Sequence, residues 1–194
     1  MMRHTVFDTP VVNWLFRQVS KIGLRLTGWK MEGSLPDAPK YVVIAAPHTS
    51  NWDFPLTIAM AFVFRIKVFW MGKASLFRGP MGPVMKWLGG IPVDRSRSTN
   101  LVQATIDAFN RNRELIIAIP PEGTRSKVRK WKTGFYHIAH GAKVPIASGF
   151  LDFKRKVGGF GPTFMPTGDI EADMAAIKAF YANITGKHPC AFEQ

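Results

Sequence analysis

The sequence predicts an α/β fold: one domain on a mixed, mostly parallel sheet flanked by helices, with an N-terminal amphipathic helix. Three observations carry that expectation. Short apolar runs such as "YVVIAA" (41–46) and "LIIAIP" (115–120) read as strands buried on both faces. Segments with helical periodicity alternate with them. Polar turns rich in glycine and proline separate the two kinds of segment, and neither a repeat nor a long linker divides the chain. With 194 residues, 46% of them apolar and 20% charged, the chain suits a single core and argues against extensive disorder.

The first element is a helix over residues 11–28, "VVNWLFRQVSKIGLRLTG". Arg17, Lys21 and Arg25 recur at four-residue spacing, and Leu15, Val19, Ile22 and Leu26 form an opposing stripe, with Trp14 and Phe16 nearby. Two readings stay open. The apolar stripe docks on the core and leaves a solvated basic face, or the helix lies at an anionic bilayer surface, which favours Lys/Arg with Trp and Phe. Residues 1–30 are accordingly expected to form a helical segment and residues 31–194 the main domain. The apolar run near 58–64 falls short of the ~20 residues a spanning helix needs. The start "MMRHTVFDTP" lacks the features of a secretory signal. The expectation is a soluble or surface-bound protein rather than an integral one.

After the turn "EGSLPDAPK", strand 41–46 is followed by helix 55–64, strand 66–71, the loop "RGPMGP" and a short helix at 83–88. Strand 91–93 then precedes helix 99–112, and strand 115–120 runs into the polar loop "PEGTRSKVRKWKTG". Helix 135–141, strand 143–150 and a terminal helix over 169–182 complete the chain.

Charge bounds the partners. Lys plus Arg number 26 against 13 Asp plus Glu, a net charge of +13, which favours nucleic acid, anionic headgroups or an acidic substrate carrier without choosing among them. Cys190 is the one cysteine, so no intramolecular disulfide and no thiolate metal cluster forms. The reducing interior of a cell suits such a chain.

Three polar segments sit at expected strand ends: "PHTSNWD" after 41–46, "GGIPVDRS" around 91–93 and "PEGTRS" after 115–120. Open α/β sheets bind ligands outside the carboxyl ends of their strands. His48 has the side chain for a general base near neutral pH, and Asp53 is placed to hold its other ring nitrogen. "SNWD" equally fits a capping box, with Ser50 as N-cap and Asp53 at N3.

In the third segment Gly123 permits close backbone approach, Glu122 is placed to orient Arg125, and Arg125 offers a bidentate fork to phosphate. Lys127, Arg129, Lys130 and Lys132 extend the positive field, and Arg95 offers a second anion contact. A solvated basic loop with internal ion pairs explains the same residues. A metal site gains little support: His48 and Asp53 lack a compact third ligand, and His137 and His140 read as ordinary helix histidines. There is no "GxSxG" elbow, and His188 with Cys190 makes a weak nucleophile pair. Single-strand nucleic-acid binding by Trp131, Tyr136 and the basic loop draws on the charge, yet no recognised motif supports it and His48 stays unexplained.

Taken together and in order, the blocks resemble the glycerolipid acyltransferase family, which includes lysophosphatidic acid acyltransferases. They are "HTSNWD" (His48 to Asp53), "GGIPVDR" (Gly89 to Arg95), "PEGTRS" (Pro121 to Ser126) and the strand "VPI" (Val144 to Ile146), covering roughly residues 30–150. The resemblance implies an O-acyltransferase that moves a fatty acyl group from acyl-CoA or acyl carrier protein to a lysophospholipid hydroxyl, with 1-acyl-glycerol-3-phosphate as the leading acceptor. It implies His48 as base and Asp53 as its orienter. Arg95, Glu122, Gly123 and Arg125 would form or support the acceptor site, with no metal or other cofactor. Pro47 and Pro120 depart from the family pattern, which often has Asn before the His and an aromatic residue before "PEG". A different lysolipid acceptor, such as lyso-ornithine lipid, is the alternative. A non-catalytic module binding anionic lipid or nucleic acid is the alternative of another class. The expected place is the cytoplasm, peripherally on the inner face of the cytoplasmic membrane, with no nucleic-acid partner.

Overall fold

The computed structural model describes residues 3–93, 98–123 and 131–188, without the side chains of residues 98–100. Its centre is a seven-stranded sheet. In chain order the strands are β1 (Lys30–Glu32), β2 (Lys40–Ala46), β3 (Val68–Lys73), β4 (Gly90–Val93), β5 (Leu115–Ile119), β6 (Ile146–Asp152) and β7 (Val157–Phe164). They lie in the order β1-β7-β6-β2-β5-β3-β4, and every pairing is parallel except β6 with β7. The protein is thus an α/β single domain with a mixed, mostly parallel sheet.

Strand alternation sends successive side chains to opposite faces, and both faces are covered. Val42, Ile44 and Ala46 of β2, with Leu115 and Ile117 of β5, face a core completed by Phe109, Phe135, Ile138 and Ile177. Those residues belong to α4 (Ser98–Arg111), α5 (Gly134–Ala142) and α6 (Ile170–Tyr181). Tyr41 and Val43 of β2, Val68 of β3 and Ala118 of β5 face the other way, toward Ala61. Ala61 lies on α2 (Asp53–Phe64). The short α3 (Gly82–Trp87) links β3 to β4.

The first helix, α1 (Pro10–Leu26), lies outside α2 as a further layer. Phe16 stacks on Phe62 of α2 with ring centroids 5.4 Å apart, and Leu24 is buried with Met60 and Leu151. The stripe that periodicity identified faces solvent instead: Ile22 is 59% and Leu26 81% exposed, alongside Val11, Trp14, Leu15 and Val19. Helical phase shows which residues share a face. It does not show which way that face points.

Two strands were not foreseen. β1 has three residues, and β7, "VGGFGPTF", carries three glycines and a proline that read as loop. Glycine is required at their seam: a Cβ on Gly33 (φ +82°) or Gly159 (φ +153°) would lie 1.7 or 1.9 Å from the carbonyl oxygen of Phe160 or Glu32. Other boundaries move modestly. α2 starts at Asp53 rather than 55, and β6 starts at Ile146 because Val144 and Pro145 form its approach.

Candidate active site

Because β2 and β5 are adjacent and parallel, the segments after them meet at the same sheet end. Residues 47–52 turn the chain from β2 into α2, and Pro120 to Gly123 leave β5 beside them. The Ala46–Pro47 peptide is cis.

His48 and Asp53 are in contact: Nδ1 of the imidazole lies 3.0 Å from Oδ2 of the carboxylate. The same Oδ2 accepts the backbone N–H groups of Thr49 and Ser50, each at 2.8 Å. Asp53 is 4% exposed, a depth at which an ionised carboxylate persists only when well bonded. With Nδ1–H donating to Asp53, Nε2 is the ring nitrogen left to exchange a proton. The capping box forms by half. Asp53 reaches back to the Ser50 N–H, but Ser50 Oγ accepts from Trp52 N at 3.1 Å, and the helix begins at Asp53 with Trp52 as its cap.

Glu122 is also 4% exposed. Its Oε1 accepts the backbone N–H of His48 at 3.1 Å, a clasp between the two motif turns. Its Oε2 is buried with no hydrogen-bond partner among the described residues, as is Asp53 Oδ1. Burial pushes the Glu122 carboxyl up to about 6, with the hydrogen bonds and His48 pulling the other way. Gly123 follows in the left-handed region (φ +64°), where a Cβ would meet the stem and Nζ of Lys132 at 3.2 Å. Lys132 is therefore a cation at the site itself, a position that charge counting along the loop did not single out. Arg95 and Arg125 lie outside the described residues, as do Cys190 and the basic run 127–130.

The tail also reaches the site. The N–H of His188 donates to Thr49 Oγ1 at 3.3 Å, Lys187 Nζ lies 4.9 Å from the Trp52 ring centroid, and Gly186 packs against Thr49 and Pro47. No local pattern in 184–188 announces this, since its partners are over 130 residues away in the chain.

Below His48 and Asp53 opens a cavity of about 650 Å³ between α2 and the sheet. Pro47, Pro120 and Gly123 line it with the pair, and Thr57, Met60, Ala61 and Phe64 of α2 form one wall. Small residues of the strands, among them Ala45, Gly72, Ala118 and Gly149, leave the space opposite. Its size is typical of pockets that engulf most of an organic ligand, roughly 300–1,000 Å³. Among the described residues, no cluster of three or more His, Cys, Asp or Glu side chains is arranged to hold a metal.

A His–Asp pair at the carboxyl ends of parallel strands, opening on a largely apolar cavity, suits proton exchange beside a bound apolar ligand. A family model described as Acyltransferase matches residues 30–149, and the chain belongs to the acyltransferase family. The crystal structure of the 1-acyl-sn-glycerophosphate (LPA) acyltransferase PlsC from Thermotoga maritima is similar, with a TM-score of 0.60 at 18% identity. The match covers 93% of this chain and 81% of that one. At that identity the likeness is one of fold. No curated protein matches the sequence significantly.

Proposed function

We propose that the protein transfers a fatty acyl group from a thioester, acyl-CoA or acyl carrier protein, to the free hydroxyl of a lysophospholipid, with 1-acyl-glycerol-3-phosphate first among acceptors. The observation that carries this reading is the His48–Asp53 pair at the mouth of the apolar cavity. The acceptor hydroxyl gives its proton to His48 Nε2 as its oxygen attacks the thioester carbonyl. Collapse of the tetrahedral intermediate forms the ester and expels the thiolate, which takes the proton back from the imidazolium. Asp53 holds the ring and offsets its transient charge. The cavity takes the hydrocarbon chain. Arg95, Gly123 and Arg125 receive the acceptor's phosphate, Lys132 adds a positive charge next to Gly123, and Glu122 acts by fixing the backbone of His48. The named activity of the similar Thermotoga maritima structure and the ordered sequence blocks support this acceptor class.

Pro47 and Pro120 stand at the cavity mouth where the family pattern differs. Those departures leave a second reading open, a phosphate-free amphipathic acceptor such as a lyso-ornithine lipid. The outward stripe of α1 supports peripheral docking on an anionic bilayer, at the inner face of the cytoplasmic membrane. No described helix is long and apolar enough to cross a membrane.

The test is purified protein with acyl-CoA or acyl carrier protein thioesters and a panel of phosphate-bearing and phosphate-free lysolipids, with products read by mass spectrometry. His48→Ala is expected to fold and to lose at least ~10²-fold in kcat, the usual scale for a positioned general base. Unchanged turnover in that variant overturns the mechanism.

A further inference from the structure

Where α1 passes into β1, a second, shallow cavity of about 310 Å³ opens at the surface. Leu24, Trp29, Met31 and Val63 give it an apolar floor, and Lys21, Arg25 and Lys30 stand around it with no carboxylate in the lining. None of these three cations forms an ion pair among the described residues; Glu32 and Asp152, the acids of β1 and β6, are instead paired with Arg155 at 3.7 and 2.7 Å. Lys156 adds a further positive charge at the edge, its Nζ held 3.0 Å from the Thr27 carbonyl oxygen. One turn up the helix, Arg17 carries a buried Nε without a hydrogen-bond partner among the described residues. None of the motif residues lines this cavity, although Leu24 packs in one cluster with Met60, a wall of the larger one.

An apolar floor under unpaired cations suits a ligand that is anionic at one end and hydrocarbon at the other. Inorganic phosphate would leave the floor unused, and an apolar ligand would leave the cations unused. The surroundings supply the direction of approach, because exposed Ile22 and Leu26 lie on the same helix as Lys21 and Arg25. We propose that this cavity binds the phosphate headgroup of an anionic bilayer phospholipid, with the phosphate among Lys21, Arg25 and Lys30 and the start of an acyl chain over Trp29 and Met31. The proposal rests on the reading of α1 as the membrane-facing element. It adds a defined lipid site, separate from the acceptor site, that selects anionic membrane and seats the enzyme on it.

The experiment is flotation of the full chain with phosphatidylcholine vesicles, with and without phosphatidylglycerol. The triple variant K21Q/R25Q/K30Q is expected to bind phosphatidylglycerol vesicles roughly 100-fold more weakly, the scale for three cations at an anionic surface. Its binding to pure phosphatidylcholine should stay as in the parent. A triple variant with the same charge loss elsewhere, R111Q/R113Q/K178Q, should change little. Val63→Phe fills the cavity at constant charge and is expected to remove most of the preference for phosphatidylglycerol. Thermal melting checks that each variant folds. Equal weakening in both triple variants, full preference in a folded Val63→Phe protein, or displacement from vesicles by inorganic phosphate at matched ionic strength would each overturn the site. Thioester turnover with a detergent-dispersed lysolipid should match the parent in every variant. That readout reports on the reaction alone, so failure of the site and failure of the proposed function are told apart.

Discussion

At the scale of residues, the site is organised around two buried carboxylates with different tasks. Asp53 is bonded by three donors through one oxygen and keeps the His48 ring in place. Glu122 has fewer bonds, and its folded-state value is raised to about 6 from an ordinary 4.5. The folded protein therefore binds that proton more tightly than the unfolded chain. The stability this contributes is fully present below about pH 4.5 and is lost as pH rises through about 6. The difference is on the order of 2 kcal/mol by pH 7. Glu122→Gln, whose carbonyl still accepts the His48 N–H, should flatten the dependence of thermal stability on pH between 4.5 and 6.5. Melting curves of both proteins across that range check this; parallel curves would remove the buried carboxyl as their source. The pairing of His48 with Asp53 was legible as a possibility, since both stand in one short turn. The Glu122 clasp was not. Its neighbour Arg125 offered a partner in the sequence, whereas its bond to His48 spans 74 positions and exists because β2 and β5 pair.

At the scale of elements, α2 has two jobs: its first residue holds the His48 ring, and its inner face walls the cavity. Ala61 is the small residue on that wall that leaves space for a chain. Ala61→Phe should shorten the usable cavity, so turnover falls steeply with long thioesters while short ones still react. Each methylene kept out forfeits about 0.8 kcal/mol, so four cost roughly 200-fold. Rates across acyl donors of graded length check the shape of that profile, and a uniform loss at all lengths would contradict it. Helix α1 carries the other expectation. Ile22→Glu should weaken binding to vesicles yet change folding stability by less than about 0.5 kcal/mol, because Ile22 is mostly solvated. Flotation and melting measure the two separately; a large drop in stability would mean that the stripe packs within the protein. Strands such as β2 and β5 were readable because burial on both faces makes them continuous apolar runs. β7 was hidden for the opposite reason: the glycines that let β1 approach it are the residues that signal loop in a sequence.

At the scale of the whole molecule, the layers are nested: sheet, cavity, α2, then α1 with its apolar side outward. The net charge of +13 favours acidic partners and anionic surfaces over neutral ones. Raising salt from ~0.01 M to ~1 M shortens the screening length from ~30 to ~3 Å. Over that range kcat/KM toward acyl carrier protein should fall while kcat at saturating donor holds. Steady-state kinetics at graded salt separates the two, and an equal fall in kcat would place the effect in chemistry rather than encounter. The contacts of the site also differ in the length of chain they close. The His48–Asp53 contact closes within one turn of chain, so little loop entropy opposes it, whereas the Glu122 clasp waits for distant strands to meet. The His48–Asp53 contact is thus local in sequence, and the frame that holds it is tertiary.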